Sequence, residues 1–420
     1  MQRRRSNKSA AEADAKSTSA QEVTPAKPTT GGGHGCTSTG PLVPVLLFFA
    51  CIASLTARSN EALPTPLASD ASATLFSEAR AREHVRALTA LGVRAVGSRA
   101  NEEAAPALLL RLLAVMEEEA AAAGAANFAK VSVQRTGAGA YSSAFLDGFT
   151  NVYDNVTNVL VFCGPRGGAA ALTPRCGLVL EPVIIMSHRC SADTPPDGLL
   201  QPSPTCPLRD RVLLGAHYDS ALKAPAASDD TAMVGVLLEA VRTLLAGPRL
   251  ERGVVFNLNG AEETNWMGAH GFVSGDHEWA KGLRVVLNLE AVGSGGRDHI
   301  LQVGPLNHWI AQAYAAAAPR PHGTSIVQEV FEIPGAIPGQ TDFQVYRDYG
   351  GCVGIELVWL SRGELYHTVN DVEAAIPPGA LQHTGENVLG LLGALLADPR
   401  LDTATKEVCS HTSLYFTRLY

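Results

Sequence analysis

A set of histidines and carboxylates draws attention because its members lie at the ends of apolar runs or in the loops after them. His217 and Asp219 close RVLLGAHYD, and Asp229 and Asp230 follow in SDD. Glu262 and Glu263 end NLNGAEE, Glu290 lies in NLEA, and His367 and Asp371 lie in ELYHTVND. Each has an ordinary reading alone: a surface turn for HxD, solvated charge for a glutamate pair, a helix cap for an aspartate pair. Four apolar segments in succession that end this way are harder to dismiss. Imidazole with carboxylate suits zinc, and one carboxylate can bridge two ions. Adjacent Glu262 and Glu263 offer one ligand and one free base to take a proton from water, the division that hydrolysis at a two-metal site requires. The groups are far apart in sequence, so the fold must gather them.

The elements that could gather them are legible as alternating patterns. KVSVQR, NVTNVLVF, RVLLGAHYD, GVVFNLNGAEE, LRVVLNLEAVG and GCVGIELVWL read as strands. Ser77–Leu91, Glu102–Ala122, Thr231–Leu245, His308–Ala318 and Pro378–Leu396 have helical spacing. Strands that are apolar with little alternation, interleaved with helices, imply an α/β fold: a mainly parallel, mixed central sheet with helices on both faces. In such sheets function gathers at the carboxyl ends of the strands, which is where the acidic residues fall.

The 420 residues suffice for a large core, and a net charge of -8 with no long basic face downstream of the N-terminus argues against a nucleic-acid partner. Residues 1–40 are polar and rich in small side chains, the composition of a disordered tail. Pro41–Ala57, PLVPVLLFFACIASLTA, is uncharged and reads as a transmembrane anchor. Arg3, Arg4 and Arg5 precede it, so the positive-inside rule leaves the N-terminus cytosolic and the rest lumenal. A linker (58–76), a main domain (77–398) and a C-terminal tail (399–420) follow. The sequon NVT at Asn155 is an expected glycosylation site on the lumenal side. Residues 163–208 look inserted, and they carry Cys163, Cys176, Cys190 and Cys206. None is in a CxxC pair; in an oxidising lumen Cys190–Cys206 and Cys163–Cys176 are disulfide candidates, with connectivity left open by the sequence.

HYD, SDD, NGAEE, NLEA and YHT, in that order, resemble the zinc aminopeptidase family that also includes glutaminyl cyclases, glutamate carboxypeptidase and the transferrin receptor. FNLNGAEETNWMGAHGFV, NLEAVGSGGRD, IPGQTDFQVYRDYG and YHTVNDV most resemble its endoplasmic reticulum metallopeptidase and vacuolar membrane protease branch. The resemblance implies the zinc-dependent exopeptidase fold, two zinc ions per chain, a peptide or protein substrate and an endoplasmic reticulum or other endomembrane location. It assigns Asp229 as the bridge between the ions, His217 and Glu290 to one zinc, Glu263 and His367 to the other, and Glu262 as general base. Asp219 would hydrogen-bond the far nitrogen of His217, Asp371 would act similarly near His367, and Asp342 in TDF would either face the site or cap a helix. Two further readings are a glutaminyl cyclase, whose relatives carry aspartate at the Glu290 position, and a non-catalytic binding domain, whose relatives lose several ligands. DTAMVG after Asp229 departs from the commoner GSG pattern. The branch continues into further membrane spans, whereas this chain closes on SHTSLYFTRLY; a single-pass protein and a truncated chain are both open readings.

Overall fold

The computed structural model describes residues 42–143, 148–167, 211–304, 306–323 and 339–404. The chain divides into two compact units, Met1–Asn60 and Glu61–Tyr420. The helix α1, Leu42–Glu61, opens the described residues, and its side chains from Leu42 to Leu55 leave large apolar groups exposed. Among the described residues no helix is long and apolar enough to cross a membrane.

The second unit follows in the order α2 (Glu78–Thr89), α3 (Ala105–Ala122), β1 (Asn127–Arg135), β2 (Gly139–Ser143), β3 (Phe149–Tyr153), β4 (Thr157–Pro165) and β5 (Arg211–His217). Then come α4 (Met233–Ala246), β6 (Val254–Asn259), α5 (Met267–Val273), β7 (Leu283–Ala291), β8 (Asp298–Gly304), α6 (Trp309–Ala317), α7 (Asp342–Asp348), β9 (Val353–Trp359) and α8 (Ala380–Ala397). One seven-stranded sheet has the order β1-β4-β6-β5-β7-β9-β8, and β2 and β3 form a separate hairpin. The pairings among β6, β5, β7 and β9 are parallel, and those at both edges are antiparallel. The sheet is therefore mixed, with a parallel centre.

All residues of β5, β6 and β9 are buried, which explains why they are mainly apolar with little alternation. Alternate residues feed two cores: Val212, Leu214, Val254, Phe256, Val285 and Leu287 pack with α2, α3, α4, α6 and α8, while Leu213, Val255 and Val286 pack with α5, α7 and the hairpin. Along this second face the strands change from apolar to polar toward their carboxyl ends. Gly215 lies in register with both Asn257 and Asn288. A Cβ there would meet Asn288 Oδ1 at 2.6 Å and Tyr346 Cε2 at 3.0 Å, so glycine lets the α7 tyrosine reach Asn257, whose Nδ2 donates to its hydroxyl at 2.9 Å.

The β2–β3 hairpin and the edge strand β8 are absent from the sequence reading, because GAYSS and DHILQVG carry no sustained apolar run. Cys163–Pro165 belong to β4, so these residues are not part of an insertion. Cys163 is a free thiol buried in the core beneath the helices rather than a partner of Cys176. Cys176, Cys190 and Cys206 lie outside the described residues. Asn155 is exposed in the β3–β4 turn.

Candidate metal centre

The carboxyl ends of the parallel strands supply the site. His217 is the last residue of β5, Glu262 and Glu263 sit just beyond β6, and Glu290 is the penultimate residue of β7. Asp229 comes from the turn Ala227–Ala232 that leads into α4, and His367 from the loop after β9. The fold brings these six together.

Asp229 is the centre of the arrangement. Its Oδ1 lies 3.2 Å from His217 Nε2, and its Oδ2 lies 3.0 Å from His367 Nε2. Glu290 Oε1 is 3.6 Å from His217 Nε2, and Glu263 Oε2 is 3.1 Å from His367 Nε2. Two trios have ligand atoms mutually within 4.8 Å: His217, Asp230 and Glu290, and Asp229, Glu263 and His367. Glu262 belongs to neither trio, although its Oε2 is 3.9 Å from His217 Nε2. The two adjacent glutamates therefore make different contacts.

The acidic neighbours grip backbone. Asp219 accepts the amides of Glu262 and Glu263, one on each oxygen and each at 3.0 Å. Its Oδ1 is also 3.2 Å from His217 Nδ1, without the alignment of a hydrogen bond. Asp371 serves the Asp229 turn rather than His367: its Oδ1 accepts Ser228 N at 2.8 Å and its Oδ2 accepts Asp229 N at 3.2 Å. Asp342 is not the helix cap, since Thr341 accepts Phe343 N in that role. Instead it is buried, with Oδ2 accepting Asn259 Nδ2 at 2.7 Å and Oδ1 without a partner.

Does this donor set fit zinc? Both ring nitrogens of buried His217 lack an aligned hydrogen-bond partner, as do Glu263 Oε1 and Asp230 Oδ1. Among the described residues, the ion-pair partners of Asp229, Glu262, Glu263 and Glu290 are only the two histidines. Buried imidazoles and carboxylates with unused lone pairs are the ligands zinc takes. The residues fit.

The electrostatics agree. Burial pushes Asp229 upward, but His217 and His367, one at each oxygen, hold it below its usual value. Burial opposes the charged form of His217, yet Asp219, Asp229 and Glu290 push it well above its usual value. For His367 burial is again outweighed, by Asp229 and Glu263, which lift it to about 10. Glu262 is pushed well above the carboxylate range by burial, with Glu290, Asp342 and Glu263 adding to the shift. Asp342 rises to about 8, mainly through burial.

Three residues at the site carry no role assigned from the sequence motifs. Asp230 is fully buried, and its Oδ2 accepts His217 N at 3.2 Å; its place in SDD was the available signal. Tyr366 stacks on His367 with ring centroids 3.7 Å apart. Burial and four carboxylates raise its hydroxyl above the usual range, so it stays protonated. The third, Arg94, has no local signal.

Comparison with known proteins adds a family. Residues 199–392 match the model of peptidase family M28. The chain contains a peptidase M28 domain. Homologues of it are endoplasmic reticulum metallopeptidase 1 of Mus musculus, 34% identical over 342 residues that make up 81% of this chain and 33% of the mouse protein, and its Homo sapiens counterpart, 34% identical over 332 residues, 79% and 32%. The vacuolar membrane protease of Yarrowia lipolytica is 32% identical over 196 residues, 46% of this chain and 19% of that protein. The chain thus spans about a third of the length of the metallopeptidases it matches. The M28 domain resembles a zinc aminopeptidase from Bacillus subtilis with a TM-score of 0.50 and 14% identity, over 76% of this chain and 94% of that one. It also resembles the LapA aminopeptidase of Legionella pneumophila with a TM-score of 0.52 and 12% identity, over 80% and 77%. These likenesses establish the fold.

Proposed function

We propose that this chain is a membrane-anchored di-zinc aminopeptidase whose M28 domain acts in the lumen of the secretory pathway, at the endoplasmic reticulum or a related endomembrane. The observation that carries the reading is the placement of the two Asp229 oxygens, one before each histidine, with Glu262 outside both trios. His217, Asp229 and Glu290 would hold one zinc, and Asp229, Glu263 and His367 the other. Zinc held there would polarise the scissile carbonyl and acidify the attacking water.

The chain's own residues do the rest. Glu262 takes a proton from that water and returns it to the leaving amine. Asp219 fixes the backbone of Glu262 and Glu263 together, so base and ligand keep one spacing. Asp371 holds the Asp229 turn from the other side. The aminopeptidase specificity is supported by the solved neighbours described as aminopeptidases.

The full-length chain in detergent tests this directly. It should contain two zinc ions and cleave peptides with free N-termini but not blocked ones. Equal cleavage of blocked peptides, or activity that survives complete zinc removal, overturns the reading. Topology is tested separately through exposed Asn155. Glycosidase treatment should lower the mass of membrane-extracted protein, and Asn155→Gln should abolish the shift; an unglycosylated protein released by carbonate washing contradicts both the anchor and the lumenal location.

A further inference from the structure

Arg94 lies in the turn after α2, outside every motif that marks the site, yet it is among the largest fully buried side chains of the protein. Its guanidinium forms no ion pair at contact distance among the described residues, which is unusual for a buried charge. It donates instead to main-chain carbonyls and one hydroxyl. Nε donates to Tyr218 O at 2.7 Å, and Nη1 to Gly92 O at 2.8 Å and Pro225 O at 3.1 Å. Nη2 donates to Ala226 O at 3.3 Å and Thr231 Oγ1 at 2.6 Å. The Arg94 amide donates to Ser220 Oγ at 2.8 Å, and its carbonyl accepts Ser220 N at 3.2 Å.

Apart from Gly92 and a long contact to Leu88 O, every partner lies on the segment 218–231. That segment starts one residue after His217, contains Asp219, and ends two residues after Asp229. Midway, Ala226 adopts φ +53, a left-handed conformation that a non-glycine residue holds only under constraint from its surroundings. Burial lowers the Arg94 pKa to about 10, which leaves it charged at neutral pH.

We infer that Arg94 is a positioning residue: its planar fork ties both ends and the middle of segment 218–231 to one point, so that Asp219 and Asp229 meet the strand ends in the geometry zinc requires. The inference rests on the reading of Asp229 as a zinc-bridging residue. Charge and clamping have opposite consequences here. Removing a positive charge near Asp219 and Asp229 strengthens cation binding, whereas releasing the segment weakens it. Lysine keeps the charge but not the fork.

The test is zinc affinity of the full-length protein, by competition with a chromophoric chelator, for wild type, Arg94→Lys, Arg94→Met and Thr231→Val. Arg80→Met is the control, because it breaks a partly buried ion pair with Glu239 that touches no site residue. All three segment variants should bind zinc more weakly, about 10–100-fold for the arginine changes, as for other residues that orient ligands. In zinc-free protein, amide exchange of residues 218–231 should accelerate in the same variants, a readout independent of activity. Unchanged or tighter zinc binding in Arg94→Met, full rescue by lysine, or an equal loss in Arg80→Met overturns the role. If Arg94→Met does not fold, Arg94→Lys and Thr231→Val decide. Wild-type protein that binds no zinc at Asp229 would instead sink the functional reading itself.

Discussion

His217 and His367 face opposite oxygens of one carboxylate, but their surroundings differ. The His217 side chain is 1% exposed and stands at the end of a strand buried along its whole length. The His367 side chain is 39% exposed, in a loop where its φ is +57. Around the first lie Asp219, Asp230 and Glu290, all buried; around the second lie Glu263 and Asp229, with Tyr366 stacked on the ring. An inner half is thus built into the sheet, and an outer half is completed by a loop. In the inner half ligand geometry and fold stability depend on the same contacts. In the outer half a ligand can be lost with little cost to the core.

The largest effect should come from Glu262, which lies outside both ligand trios. Glu262→Gln is expected to reduce peptide hydrolysis by about 10²–10⁴-fold, the range for a general acid/base, with both zinc ions retained. Loss of zinc in this variant would place Glu262 in the inner half and remove it as base.

Next come the histidines themselves. His217→Ala leaves Glu290 and one Asp229 oxygen without their buried partner, a change worth on the order of 3–5 kcal/mol, and it should empty the inner site. His367→Ala and Glu263→Gln should each lose only the outer zinc, with His367→Ala costing about 1 kcal/mol or less in the zinc-free protein. Denaturant unfolding of zinc-free protein together with zinc stoichiometry checks both halves. Equal destabilisation by the two histidine variants would erase the distinction drawn between them. Graded chelation offers a kinetic version: the outer ion should leave first.

The smallest effect is in pH dependence. His367 is lifted from 6.5 to about 10 by Asp229 and Glu263. A raised folded-state value means that the protonated form stabilises the zinc-free fold, fully below pH 6.5 and progressively less as pH rises through 10. Stability of the zinc-free protein should therefore fall over that window, and His367→Gln should flatten the fall. Because the ring is partly exposed, the slope is modest. A slope unchanged by the substitution would mean that His367 is not coupled to Asp229 and Glu263 in solution.

Much of this was legible without coordinates. The central strands are buried on both faces, so their sequences are mainly apolar with little alternation, and ligand-type residues at their ends stand out against that background. β8 and the β2–β3 hairpin are edge or peripheral pairings whose residues are small, polar or mixed, and nothing local distinguishes them from loops.

The sequence by itself determined the α/β class, the order of the acidic strand ends and the presence there of side chains of the types zinc takes, because burial and ligand chemistry are written in residue type. The tertiary structure alone decided that Asp371 grips the Asp229 turn rather than His367, that Asp219 holds two backbone amides, and that Arg94 clamps a segment more than a hundred residues away in the chain. In all of these contacts but the one from Arg94 to Thr231 Oγ1, one partner is a main-chain N–H or C=O, a group that nearly every residue carries. No residue type can announce it, so only the fold can say which of these equivalent groups a side chain will meet.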